Sequence, residues 1–532
     1  MSKRVSVSLL SILAITLAFA SSAMAQDFGS YPVSFRKTQE DDVSQDINSF
    51  PVSFRKTQEE DGSKAESSLA EQLEEMKTRL EELEYDLKEK IAESKEGKAD
   101  AKSTGEDVSE RLEALEESVE NNLESIADID GQIPGFVVSG HKKPKMKFFG
   151  RIHLDWWAFP RAEGGIAALE REDPRDRVAF RRLRIGVSGD LNDNVFYKYE
   201  GEFAGGVDPS YRDALIGFRN SPVFNTIILG NHKRPYGLDH LNSSRHNIFI
   251  ERPFVVEAFN EDSRRLGISS NGVNESKTMN WRFGFYHQAL TQTTIGFIND
   301  HYQPEIAGRL ALTPWYDESS GGRGYFHCAI SGSFGWPDGS TDTNENAARY
   351  RTRAEARTVE RWLDTDRILG ADTNNLFGLE AVYNNGPFQL TGEYLTVGVN
   401  RLAAIGENLR FDGWYVQASY FLTGEHMTWN RDNGTLGRVK PIENFFAVRD
   451  RDGNVKRGLG AWQVAARFST VDLSDQDIIG GQGDSLTLAA NWLWNPYARM
   501  QFNYLLGQID RPPETDIGGE YRAVGVRFMV DF

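Results

Sequence analysis

The chain has 532 residues, of which 39% are apolar, a mean hydropathy of −0.50 and a formal net charge of −18. After the N-terminus no stretch supplies the roughly 20 apolar residues that a membrane helix needs, which excludes a helical membrane protein. Aromatic residues make up 11%, and 49 Gly accompany them, a composition that suits many strands and tight turns. The acidity is local. Residues 1–135 hold 15 Lys and Arg against 30 Asp and Glu, whereas 136–532 hold 45 against 48, so net charge says little about what the larger part binds.

Residues 1–25 read as an export signal: Lys3 and Arg4, an apolar run over 5–20, then Ala23, Met24 and Ala25 before the expected cleavage. Cys328 is the single cysteine, so no internal disulfide forms and no cysteine follows the cleavage site to carry a lipid. A polar linker over 26–65 contains "YPVSFRKTQEDD" at 31–42 and again, as "FPVSFRKTQEED", at 50–61. The duplication reads as flexible linker or as a pair of docking peptides. Over 66–127 Leu69, Leu73, Met76, Leu80, Leu83 and Leu87 alternate four and three apart, the a/d seam of a coiled coil. The seam breaks around Gly97 and Gly105 and resumes with Val108, Leu112, Leu115, Val119, Leu123 and Ile126. Some 60 helical residues at 1.5 Å each would reach roughly 90 Å, enough for a spacer. A second linker covers 128–145.

From 146 to 532 the pattern has period two. Strands are predicted near 146–159, 178–190, 194–204, 211–219, 224–230, 264–271, 280–287, 305–313, 324–334, 374–383, 387–397, 413–422, 460–470, 485–494, 498–508 and 521–532. Short turns such as "LNDN", "NSPV", "NNG" and "NPY" alternate with long loops at 231–263, 335–373 and 398–412. One connection, 423–459, is long where that alternation calls for a short periplasmic turn. On one parity of nearly every strand the residues are apolar: Phe148, Ile152, Leu154 and Trp156, or Trp281, Phe283 and Phe285. The other parity carries polar groups with an arginine, such as Arg151 or Arg282. An outward apolar band around a polar, water-filled interior accounts for both faces. The expected fold is an all-β transmembrane barrel of about 16 antiparallel strands, preceded by an α-helical coiled coil. The last strand, with Val524, Val526, Phe528, Val530 and Phe532 on one parity, is expected to pair with the first, and Phe532 resembles the signal by which the barrel assembly machinery recognises its clients.

Three stretches carry a family resemblance: "RRLRIGVSGDLNDNVFYKYEGEFA" at 181–204, "LGNHKRPYGLDHLNSSRHNIFIERPFVVEAFNEDSRRLGI" at 229–268, and "YFLTGEHMTWN" with "GAWQVAARFSTVDL" within 420–473. Over 136–532 the sequence resembles the phosphate-selective porin O and P family of Gram-negative outer membranes. The resemblance implies a trimer whose third loop folds into the lumen, and cations that draw anions through. By position the constriction-loop cations are His232, Lys233, Arg234, Arg245 and Arg252. The lumen arginine track is Arg182, Arg184, Arg282, Arg309, Arg467, Arg499 and Arg527. Guanidinium groups suit phosphate-like oxyanions because each offers paired planar donors and stays charged. The competing reading pairs these cations with Asp239, Glu251, Glu257, Glu261 and Asp262 of the same loop, shaping a transverse field without selecting a solute.

The expected function is a porin for small hydrophilic solutes, weakly anion-selective, with phosphate or polyphosphate preference as the narrower reading. The alternative is an outer-membrane anchor whose periplasmic coiled coil tethers the membrane to the cell wall. Expected partners are two further copies in a homotrimer, outer-membrane lipid, the barrel assembly machinery, small anions such as phosphate, and the cell wall. Nine histidines are present without an HExxH or a clustered His/Cys set. No catalytic constellation, cofactor, metal or nucleic-acid partner is expected, and Cys328 is expected to face lipid.

Overall fold

A computed structural model describes residues 144–532 apart from 206–208, 262, 292–301, 338–347, 450–454 and 512–516. The export signal, the duplicated linker, the coiled coil and all but the end of the second linker lie outside the described residues, as does Asp262.

Sixteen antiparallel strands close into a barrel: β1 (Lys147–Ala162), β2 (Arg177–Asp190), β3 (Val195–Glu202), β4 (Ser210–Ser221), β5 (Asn225–Lys233), β6 (Arg264–Val273), β7 (Met279–His287), β8 (Pro304–Tyr316), β9 (Gly324–Gly335), β10 (Ala371–Asn385), β11 (Phe388–Arg401), β12 (Leu409–Phe421), β13 (Ala461–Asp475), β14 (Ile478–Asn495), β15 (Ala498–Asp510) and β16 (Gly518–Asp531). Each corresponds to a predicted strand. At the seam β16 pairs with β1, Asp531 opposite Arg151 and Val526 opposite Trp156, and Gly150 and Phe532 exchange backbone bonds of 3.1 and 3.2 Å. Closure leaves no unpaired edge for lipid to meet.

The wall inverts a soluble core. Phe148, Ile152 and Trp156 are exposed on the outer face of β1, whereas Arg151, His153 and Asp155 are buried on its inner face. Phe283 and Phe285 of β7 and Leu310 and Leu312 of β8 are exposed in the same way. Cys328 lies in an outer apolar hollow of about 550 Å³ with Leu310, Leu312 and Ile330, the face expected of it.

The turns at 191–194, 222–224, 386–387 and 496–497 lie at one end of the barrel. Short turns mark the periplasmic end of such barrels. The 422–460 connection joins β12 to β13 at that same end, so the strand count holds and this periplasmic connection is long. Loops 234–263 and 336–370 lie at the other end. Three short helices accompany them: α1 (Gly164–Glu170), α2 (Leu238–Leu241) and α3 (Phe254–Phe259).

Loops from both ends fold inward. Phe254, Val255 and Val256 of α3 cluster with Trp362 and Leu363 of the 336–370 loop and with wall residues Val397, Phe411 and Val471. Lower down, Leu238, Ile248 and Phe249 cluster with Met427, Trp429 and Leu436 of the periplasmic connection. This corrects the expected polar interior. On β11 the inward residues Gln389, Thr391 and Glu393 are polar, but Leu395, Val397 and Val399 continue the same face and are apolar. The upper half of this wall packs against folded-in loop rather than solvent, so the physical rule is the same while the neighbour is different.

Candidate functional site

The chain leaves β5 at Lys233 and turns into the lumen through Gly237, whose φ of 72° favours a residue without Cβ. Helix α2 follows immediately. Its first N–H groups, those of Leu238 and Asp239, donate to the two carboxylate oxygens of Glu393 on β11, each at 2.7 Å, and the Tyr415 hydroxyl donates to the same carboxylate at 2.5 Å. At its other end Lys233 Nζ donates to the carbonyls of His240, Leu241 and Asn242 at 2.9, 2.8 and 2.8 Å. An anion at the first turn and a cation at the last satisfy the groups a helix leaves unpaired.

Glu251 is the main anchor of the loop. It accepts from Arg181 at 2.8 and 3.1 Å and from Arg527 at 2.9 Å. Arg527 also holds Asp155 through two bonds of 2.6 Å and donates to the Ile250 carbonyl at 2.6 Å. Burial alone would raise the Glu251 carboxyl, but Arg181 and Arg527 hold it well below the usual carboxylate range. Arg467 donates to the Glu251 carbonyl at 3.1 Å, binds Glu355 at 2.7 Å and lies 4.4 Å over the Phe249 ring.

Every proposed pore cation lies on the lumen side of the wall or within the inward-folding loop, and each is engaged. His232 and Lys233 belong to β5 rather than to the loop, because the strand runs three residues past its predicted end. His232 meets Ser269 Oγ at 2.7 Å and the Gly230 carbonyl at 2.8 Å. Arg234 pairs with Glu305 at 2.8 Å, Arg245 with Asp531 at 3.1 Å, and Arg252 with Asp239 at 2.8 Å. Arg184 pairs with Glu202 at 2.5 Å, and Arg309 pairs with Glu380, which also accepts from His327 at 2.7 Å.

Four cations differ. Arg182 meets only the His153 ring nitrogen, at 3.3 Å; Arg499 donates to the Asn247 carbonyl at 2.9 Å; Arg282 donates to the carbonyl and side-chain oxygens of Asn433 at 3.1 and 2.7 Å; and Lys233 has its three carbonyls. Among the described residues no carboxylate lies within 4.0 Å of these four. A guanidinium resting on neutral oxygens can exchange them for those of an anion without stranding a carboxylate.

Sequence alternation missed Arg181. A bulge between β1 and β2, where His153 faces Arg182 but Leu154 faces Phe180, lets Arg181 and Arg182 both reach the lumen. It also missed Glu393 and the arginines of the 336–370 loop, of which Arg351 and Arg361 meet Glu261 at 2.5 and 2.9 Å and Arg353 meets Glu257 at 3.1 Å. The run "RYRTRAEAR" at 349–357 was the available signal for Arg351 and Arg353.

An uncharacterised protein of Caulobacter vibrioides is 27% identical over 364 residues, 66% of this chain and 68% of that one. Porin O of Pseudomonas aeruginosa is 24% identical over 147 residues, covering 26% and 31% of the two chains. Among solved structures, the outer membrane channel DcaP of Acinetobacter baumannii shares 12% identity with a TM-score of 0.43, over 75% of this chain and all of that one. The family model described as phosphate-selective porin O and P matches residues 150–532, and the chain belongs to that family.

Proposed function

We propose that this outer-membrane porin passes small hydrophilic solutes with a weak preference for anions. The observation that carries the reading is the charge imbalance along the lumen. Arg182, Lys233, Arg282 and Arg499 have no carboxylate partner among the described residues. The acids Asp155, Glu200, Glu202, Glu251, Glu305, Glu355 and Glu380 are each matched to an arginine, and among the described residues Glu393, Glu170 and Glu425 are held by neutral donors instead. Surplus fixed cation in a narrow, low-dielectric path lowers the barrier for anions and raises it for cations. Phosphate or polyphosphate preference is the narrower form of this reading and is supported by the family's description. A homotrimer follows the family resemblance, and the 66–127 segment is read as a periplasmic spacer that reaches the cell wall.

The test is the reversal potential of the full-length protein in a planar bilayer under a potassium chloride gradient. The expected sign is chloride over potassium, and Arg182→Gln with Arg499→Gln should move it toward zero. A potassium preference in the unaltered channel overturns the reading. Inorganic phosphate added to one side should reduce chloride current if the narrower form holds. Deleting 66–127 should leave conductance intact.

A further inference from the structure

The periplasmic connection sends a small hairpin, Trp429–Asn430 paired with Thr435–Leu436, up into the lumen. Its root is fixed. Trp429 is buried 4.5 Å from the His327 ring and 5.3 Å from Tyr325, its Nε1 donates to Thr313 Oγ1 at 3.2 Å, and the Leu436 N–H donates to Asn242 Oδ1 of the constriction loop at 2.9 Å. Its tip, residues 431–434, is a row of oxygens laid against lumen donors. The Asn433 carbonyl and side-chain oxygens accept from Arg282 at 3.1 and 2.7 Å, the Gly434 carbonyl accepts from Arg309 at 2.9 Å, and the Arg431 carbonyl accepts from Asn280 at 3.4 Å. Two oxygens converging on one guanidinium are what a carboxylate or an inorganic oxyanion presents, here supplied without the charge.

The fit at the tip is close. At Gly434, where φ is 57°, a Cβ would stand 2.8 Å from Asn280 Nδ2 and 3.0 Å from Arg309 Nη1. Outside, Lys277 pairs with Asp432 at 2.9 Å, both about half exposed, while the largely buried Arg431 pairs with Glu318, lies 4.6 Å over Tyr316 and donates to the Ser276 and Lys277 carbonyls, the latter at 3.2 Å. These groups line a cleft of about 740 Å³ at the periplasmic end. The exposed Lys277–Asp432 pair holds weakly and is screened by salt.

From this arrangement we infer that residues 431–434 are a tethered competitor for permeating anions. The tip occupies Arg282 with neutral oxygens and narrows the exit; an arriving anion takes that guanidinium while Arg309 stays with Glu380, and the tip moves toward the cleft to let the anion leave. The inference rests on the anion-path reading but names a separate part, the exit-side donors and the hairpin that covers them.

The decisive experiment replaces 431–434 with Gly-Gly, a length that still closes a two-residue hairpin turn. Single-channel conductance in potassium chloride should rise several-fold, and the chloride-to-potassium permeability ratio should rise with it. Adding Arg282→Gln should cancel the rise in ratio while leaving the rise in conductance. Asn433→Ala, which keeps the hairpin whole, should raise the ratio less and guards against an assembly defect in the shortened chain. Conductance and ratio unchanged in both variants, with the unaltered protein conducting, overturn the inference and leave the anion reading standing. A potassium-selective unaltered channel whose conductance still rises on shortening would overturn that reading and retain the gate.

Discussion

Loop 234–263 and the 429–436 hairpin enter the lumen from opposite ends and touch at Asn242 and Leu436, and the loop is tied down by ion pairs in which both partners are buried. Glu251, almost wholly shielded, is shared by Arg181 and Arg527, and the loop's first helix is capped by the Glu393 carboxylate. The hairpin tip is held through its own carbonyl oxygens, by Arg431 on the Ser276 and Lys277 carbonyls, and by the half-exposed Lys277–Asp432 pair. Removing one partner of a buried pair strands the other charge at a cost of about 3–5 kcal/mol, whereas an exposed pair contributes about 0–1 kcal/mol. One segment therefore sets the width of the path, and the other can change it.

The largest effect should come from Glu251→Ala. Arg181 and Arg527 would be left facing each other, and a loss of about 3–5 kcal/mol should release the loop. Trypsin cleavage after Arg245 in folded barrels should appear, and a loop that stays protected would break the comparison. Glu393→Leu should come next. It leaves two N–H groups and the Tyr415 hydroxyl without their acceptor, at about 1–3 kcal/mol for each buried group that finds no substitute. The temperature at which folded barrel converts to the unfolded band on a semi-native gel should fall.

A third test uses pH. His246, whose Nδ1–H donates to the Leu436 carbonyl at 3.0 Å, is pushed down to about 4 by burial and by nearby Arg499. Between pH 6.5 and about 4 the unfolded chain takes up a proton that the folded loop refuses, so stability falls as pH falls through that window. At pH 5.5 the linkage is worth about 1 kcal/mol. His246→Gln should flatten that slope in denaturant titrations across the window, and an unchanged slope would remove His246 from the loop's ledger of contacts. The smallest effect belongs to Lys277→Ala, at most about 1 kcal/mol, with no measurable change in unfolding temperature. A larger loss there would mean that the hairpin is as firmly fixed as the loop.

The outer wall was readable because hydrocarbon imposes one demand on every strand. Phe283, Phe285, Leu310 and Leu312 meet the same solvent, so their parity repeats and all sixteen strands can be found. The inner face has no single solvent. Glu393 faces a helix N-terminus and Val397, two rungs up the same side of β11, faces α3, and neither neighbour is visible in local periodicity. Arg181 escaped for another reason: a bulge changes parity, and nothing in "FRRLRIG" marks which of two adjacent arginines is the extra residue. The loop start expected at 231 falls three residues inside β5, where the ladder to Arg264 and Arg265 keeps His232 and Lys233 in the sheet.

The meeting of Arg527, Asp155 and Glu251 also constrains the order of assembly. Arg527 reaches Asp155 across the seam and Glu251 in the loop, partners 372 and 276 residues away in sequence. A barrel that closed around an empty lumen would bring Arg181 and Arg527 together with Asp155 as the nearest carboxylate, and the two guanidiniums would repel beside the seam. Sealing is thus most favourable once the loop has already been taken in, which makes the seam a checkpoint on what the barrel contains.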